Sequence, residues 1–293
     1  MKAGRFCSIA LGLSLALLPM WANAAPPARV VSIGGHVTEI IYALGAQGAL
    51  VGTDSSSIFP EEAKKLPQVG YLRQVAVEGV ASLQPDLIVA SHDIGPPAAL
   101  EKIRALGVPL VVTSQIDTIA EAGIRIREVG KALGFEDKAE ALASRVQQQA
   151  EEESQRLNAL PGKRPKVVLF LGHGNASPMG AGLETGGDAM IRLAGGDNAL
   201  SGMKGFKAVS AEALMQAAPD VIVLTQQSVA QAGSLDAVIK SLKGVEHTPA
   251  GQAQRFVVMD VMALFAFGPR LPQALRELGK GIHGESMTTA ERL

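Results

Sequence analysis

Gly70-Tyr71-Leu72-Arg73 places a phenol and a guanidinium two residues apart in a stretch that reads as a loop, because Pro67 and Gly70 punctuate it. Tyr71 is one of only two tyrosines in 293 residues. A phenolate is a hard anionic ligand for ferric iron, and a nearby cation favours it over the neutral phenol. The competing reading is a half-buried loop tyrosine with its hydroxyl in water. A second signal is a pair of glutamates. Six residues separate Glu78 from Pro85-Asp86, and six separate Glu212 from Pro219-Asp220. Singly, each is an ordinary first-turn carboxylate, worth about 0.3–1 kcal/mol through the helix dipole. Recurrence at one offset in both halves asks for more than that. The histidines are dispersed: His36 and His173 each follow an apolar run and a glycine, and His92 ends the run Leu87 to Ala90. His247 and His283 read as surface positions, and Tyr42, in an apolar helical stretch, reads as core.

The elements that must position these groups form an internal repeat. Arg29 to Ile33 is a β-branched apolar run ending in Gly34-Gly35-His36, followed by a helical pattern through Ile40, Ile41 and Leu44. Lys166 to Leu171 ends likewise in Gly172-His173-Gly174, and Asp188 to Leu193 supplies the helix. Each glutamate then opens a short helix that passes through a Pro-Asp turn into an all-apolar strand, Leu87-Ile88-Val89 or Val221-Ile222-Val223. Further strands are expected at Leu110–Val112 and Phe256–Met259. Between the halves, Glu136 to Leu160 lacks glycine and proline. Ala139, Leu142, Val146, Ala150 and Leu157 recur there at three- to four-residue spacing, which predicts one amphipathic helix about 35 Å long. The expected fold is α/β: two Rossmann-like lobes joined by that single long helix, with a ligand cleft between them. The boundaries read as 25–134 for the first lobe, 135–161 for the helix and 162–293 for the second. A single joining helix is stiff, so the cleft should close only slightly.

The first 24 residues read as a cleaved export signal. Lys2 and Arg5 form the basic region, Ile9 to Leu18 the apolar one, and Ala22-Asn23-Ala24 the cleavage site. Cys7 would leave with it and is misplaced for a lipid anchor, so the mature chain would hold no cysteine, disulfide or thiolate site. Export without disulfides fits a Gram-negative periplasm. The formal net charge of -1, with 27 basic and 28 acidic residues, offers no stripe for nucleic acid. Aromatics make up only 4% of the chain, so Val, Ile, Leu and Ala must build the core.

Taken together, the two lobes, the spanning helix and the paired Glu/Pro-Asp elements resemble the periplasmic binding proteins that serve ABC importers of vitamin B12, siderophores and haem. Val69-Gly70-Tyr71-Leu72-Arg73 and Leu264-Phe265-Ala266-Phe267-Gly268-Pro269-Arg270 are similar to the haem-binding branch. The resemblance implies a protein that carries ferric haem as its ligand, with Tyr71 as the iron ligand supported by Arg73. It implies His173 as a candidate second ligand from the other lobe, since imidazole suits ferric haem and strand ends are where such lobes bind. It further implies that Glu78 and Glu212 dock on a permease dimer, two separated contacts fixing the orientation. A monomer is expected, supplied by an outer-membrane haem receptor system.

A flat apolar macrocycle with two carboxylates needs aliphatic walls and a cationic rim. Ile94 to Pro97, Met179, Phe206, Phe265 and Phe267 are candidate walls, and Arg73, Lys204 and Lys207 candidate propionate partners, although such residues are more commonly core or solvated surface. The same fold could instead carry a ferric siderophore or corrinoid, with Tyr71 as a wall residue. An enzyme is a more distant reading. The glycine runs form neither G-x-G-x-x-G nor a P-loop, and no G-x-S-x-G elbow occurs.

Overall fold

The computed structural model describes residues 26–114, 118–172 and 178–284. Its strands are β1 (Val30–Ile33), β2 (Leu50–Thr53), β3 (Gly70–Tyr71), β4 (Gln74–Val75), β5 (Leu87–Ala90) and β6 (Leu110–Val112) in the first lobe. The second lobe holds β7 (Lys166–Leu171), β8 (Met179–Ala181), β9 (Asp197–Asn198), β10 (Phe206–Ala208), β11 (Val221–Thr225) and β12 (Phe256–Met259). The first sheet runs β2-β1-β5-β6, all parallel. The second runs β10-β8-β7-β11-β12; β11 is parallel to β7 and β12, while β8 and β10 form an antiparallel extension.

The repeat read from the sequence has a structural basis. The Asp86 carboxylate accepts the N–H of Ala28 at 2.9 Å and of Arg29 at 3.0 Å, immediately ahead of β1. Asp220 accepts the Lys166 N–H at 2.8 Å, at the start of β7. In each lobe the Pro-Asp turn thus pins the entry of the first strand to the strand that follows the turn. This sets the registers Val30 opposite Leu87 and Val167 opposite Val221.

The central strands of both sheets are buried on both faces, and alternation along each strand divides their side chains. Val30, Leu87, Val89, Val167, Leu169, Val221 and Val223 enter one core shared by the two lobes. Their neighbours Val31, Ile33, Ile88 and Ala90 enter a separate outer cluster in the first lobe, and Val168, Phe170, Ile222 and Leu224 one in the second. The shared core is threaded by the long helix, Glu136–Asn158, whose buried stripe includes Ala139, Leu142, Val146, Ala150 and Leu157. A helix unseen in the sequence pattern, Ile119–Leu133, lies against it, capped by the Thr118 hydroxyl and closed by left-handed Gly134. Among the described residues no helix is long and apolar enough to cross a membrane.

A polar pin also joins the lobes. Glu39, in the helix Gly35–Ala43 of the first lobe, receives Arg270 of the second through two bonds, 2.9 Å from Nε and 2.5 Å from a terminal nitrogen. Arg270 also reaches Asp260 at 3.0 Å and stacks over Phe59 at 4.0 Å. Arg125 donates to the Ala266 carbonyl at 2.5 Å. Burial lifts the Glu39 carboxyl above its ordinary range, opposed by the Arg270 guanidinium.

Candidate functional site

The carboxyl ends of the first-lobe strands converge on one buried side chain, Asp54, directly after β2. Its carboxylate accepts from the N–H of Gly34 at 2.7 Å, Ser56 at 3.0 Å and Leu72 at 3.0 Å, and from the Ser57 hydroxyl at 3.1 Å. Thr38 bonds Ser57 and Ser32 at 2.7 Å each, extending the network beneath β1. Three separate chain segments are thereby fixed to one anion.

Among those segments is the turn that carries Tyr71. The sequence reads as a loop here, but the chain forms a tight hairpin: Gly70 pairs with Val75 and Tyr71 with Gln74, leaving Leu72 and Arg73 at the tip. Gly70 has φ of 95°, and a Cβ there would stand 2.7 Å from the Gln74 carbonyl oxygen, so only glycine fits. Leu72 is buried in the outer cluster of the first lobe, and its carbonyl accepts the Gly95 N–H at 2.8 Å. The Gly95 carbonyl in turn accepts the Val75 N–H at 3.0 Å. With its backbone tied to β2 on one side and the β5 turn on the other, Tyr71 keeps an outward side chain, 39% exposed.

Arg73 does not float free beside the phenol. Its guanidinium bonds one Asp93 oxygen at 2.7 and 3.1 Å, while the other Asp93 oxygen accepts the Ser91 hydroxyl in a short bond. Burial alone would raise the Asp93 carboxyl, but Ser91 and Arg73 outweigh it and hold it below its usual range. Burial would lower the Arg73 pKa, but the bond and charge of Asp93 outweigh it and hold the guanidinium above its ordinary value. His36 is buried, and its Nε2 has no hydrogen-bond partner among the described residues. Burial, then the charge of Arg125, pushes its pKa well below the ordinary value. His36 therefore favours the neutral form and stands buried behind the site. His92 is exposed.

The second lobe presents a different edge. Gly172, after β7, donates its N–H to the Ser228 hydroxyl at 3.1 Å, and His173 lies outside the described residues. Met179 pairs with Leu171 and Lys207 with Gly180, so both stand near the ligand-facing strand ends. Lys204 bridges Leu183, just beyond β8, and its ammonium is held by Glu184 at 2.5 Å. Phe265 and Phe206 meet edge to face at 5.8 Å, half-buried against the shared core. Phe267 is not a cleft wall: it is 1% exposed and belongs to that core. His283 is likewise not a plain surface residue, since its Nε2 lies 2.9 Å from the Ala194 carbonyl oxygen. His247 is exposed, and Tyr42 is half-buried against the shared core.

Beside these strand ends a cavity of about 400 Å³ opens between the lobes, lined by Phe59 and Lys64 from one and Gln227, Asp260 and Arg270 from the other. Neither Tyr71 nor Arg73 lines it, and Arg270 is engaged there with Glu39 and Asp260. Glu78 and Glu212 are exposed in the first turns of the helices Val77–Ser82 and Ala211–Ala217. Bonds from its own backbone and from Ser210 hold the Glu212 carboxyl below the usual range. Among the described residues no three His, Cys, Asp or Glu side chains gather as a metal site.

Two α/β lobes on one helix, with a tyrosine displayed at the strand ends of the first, define a two-lobed ligand-binding protein. The chain belongs to the periplasmic binding protein family, whose model matches residues 30–262. A solved structure of the periplasmic heme-binding protein RhuT from Roseiflexus sp. RS-1 superposes with a TM-score of 0.82 at 36% identity, covering 88% of this chain and 98% of that one. The vitamin B12-binding protein of Yersinia pseudotuberculosis is 31% identical over 74% of this chain and 75% of its own. A Bacillus subtilis relative, an uncharacterized ABC transporter substrate-binding lipoprotein, is 27% identical over 89% of this chain and 81% of its own. This protein is accordingly a periplasmic substrate-binding protein of an ABC transporter, in a family that carries ligands rather than transforming them.

Proposed function

We propose that this protein captures ferric haem in the periplasm and hands it to its transporter, with the Tyr71 phenolate on the iron. The observation that carries this reading is the Tyr71 hairpin. Its backbone is fixed by buried Asp54 and by the β5 turn, and its phenol is left exposed with a guanidinium two residues away. A ligand to iron must be held in place before the metal arrives, because any disorder would be lost on binding. The heme-binding RhuT neighbour supports the same cargo. Lys207, Met179 and Phe265 would meet the plate from the second lobe, a reading supported by their places at the strand ends and in the Phe206–Phe265 pair, and His173 would be the candidate ligand on that side. The helix-borne Glu78 and Glu212 would dock on the permease dimer, and residues 1–24 would direct export.

Haemin titration of the purified protein tests the cargo. Wild type should give a shifted Soret band and a phenolate-to-iron charge-transfer band, and Tyr71→Ala should lose the latter and bind at least about 100-fold more weakly. Equal binding by wild type and Tyr71→Ala would remove the phenol from the iron. A corrinoid is the second reading, favoured by the B12-binding relative. Saturation by cyanocobalamin with no response to haemin would replace the first reading with it. Replacing Glu78 and Glu212 together by alanine should abolish delivery to transporter vesicles and leave haemin affinity unchanged; loss of affinity would place them in the cleft.

A further inference from the structure

The side chain that the haem reading leaves unused is Asp93, at the turn after β5. We propose that Asp93 is a positioning residue for the iron site: it holds the Arg73 guanidinium beside the Tyr71 phenol and offsets part of its charge. This rests on the assignment of Tyr71 as the ligand to the cargo iron.

The geometry is a relay of fixed parts. Arg73 is at the hairpin tip, its side chain 60% exposed, and a long side chain so placed would sample many rotamers on its own. Two of its nitrogens converge on a single Asp93 oxygen, which fixes the guanidinium on one side. Asp93 is itself fixed, with 28% side-chain exposure, by the Ser91 hydroxyl on its other oxygen. The Ser91 N–H bonds the Ile33 carbonyl at 2.7 Å, so the relay is grounded in β1. Tyr71 pairs with Gln74 across the hairpin, so Arg73 sits in the turn two residues from the phenol. The order is therefore strand, Ser91, Asp93, Arg73, Tyr71. Partners of this outer kind orient a metal ligand and tune it, and their loss typically lowers affinity 10–100-fold.

There is also a reason for an acid here. An unpaired guanidinium at the mouth of the cleft would attract any anion and would hold a haem carboxylate strongly. Pairing it with Asp93 leaves its free N–H edge directed by geometry and lowers its appetite for other anions. Asp93 would thus favour cargo bound through the phenol over cargo bound through stray salt links.

The test is a double-mutant cycle in haemin binding, read by affinity and by the position of the charge-transfer band, with circular dichroism melts to verify folding. Asp93→Ala should bind haemin about 10-fold more weakly and shift the band, and Arg73→Ala should do so at least as much. In the Arg73→Ala background, Asp93→Ala should then add nothing. Asp93→Asn, which keeps an acceptor oxygen without the charge, should fall between wild type and Asp93→Ala, so the cycle survives if the alanine variant folds poorly. An Asp93→Ala band identical to wild type would overturn the proposal while leaving Tyr71 as ligand. So would an effect that persists in full without Arg73, which marks a merely structural residue. A wild-type protein that gives no Tyr71-dependent spectrum would end the haem assignment, and this proposal with it.

Discussion

The two lobes begin alike and end differently. At the amino ends of their strands the same device operates twice: Asp86 and Asp220 each hook the first strand of their lobe. At the carboxyl ends the first lobe gathers three backbone N–H groups on buried Asp54 and displays a hairpin from it. Among the described residues, the second lobe ties Gly172 and Thr225 to the Ser228 hydroxyl and links Gln227 to Asp260 and to the Val261 N–H, then adds an antiparallel extension with Met179 and Phe206. The shared half of each lobe is what any parallel sheet with this connectivity needs. The divergent half differs in what its polar groups hold: Asp54 gathers the backbone of three separate segments, whereas Ser228 and Gln227 bond chiefly the turns that follow their own strands.

Several substitutions would break or sharpen that contrast. The largest effect is expected where the lobes meet. Arg270→Ala leaves Glu39, 3% exposed on its side chain, as a buried carboxylate without its cation and should destabilise by about 3–5 kcal/mol in urea melts. Because burial raises the folded-state pKa of Glu39, that carboxyl favours the folded state more as pH falls through its raised pKa, and less as pH rises. The deficit of Arg270→Ala should therefore be greatest at neutral pH and shrink on acidification; a pH-independent deficit would count against a charge origin.

Next comes the contrast between the two strand edges. Asp54→Ala orphans the N–H groups of Gly34, Ser56 and Leu72 and should lose about 3 kcal/mol, with haemin binding weakened as the hairpin loosens. Ser228→Ala at the second edge should lose only about 1 kcal/mol. Comparable losses would mean that the edges are equally organised. The smallest effect belongs to the exposed Arg127–Glu140 pair, where Arg127 and then Ser144 lower the Glu140 carboxyl to about 2. Its contribution should be complete above the ordinary carboxylate range, fade as pH falls towards about 2, and weaken with salt.

Composition and periodicity carried the architecture because burial in a parallel sheet and along one helical stripe writes itself into residue type. The Ala139 to Leu157 stripe, the paired Pro-Asp turns and the β5 and β11 strands were all legible for that reason. Other elements were not. Strand β2 is interrupted by Gly52, and the hairpin of β3 and β4 is too short to show a period. Phe267 was misread because one or two positions decide which face a side chain occupies. Asp54 left a trace, a polar Thr53-Asp54-Ser55-Ser56-Ser57 run directly after an apolar one, which is the signature of side chains that bond a turn.

The sequence by itself determined that there are two repeated α/β halves, a stiff connector and a tyrosine beside an arginine, since each is local in the chain. Only the tertiary structure decided that Asp54 anchors Gly34 and Leu72 across 20 and 18 residues, that Asp93 captures Arg73 across 20, and that Glu39 meets Arg270 across 231. Hydrogen bonds and ion pairs depend on where side chains end in space, and no local pattern of residue types records that.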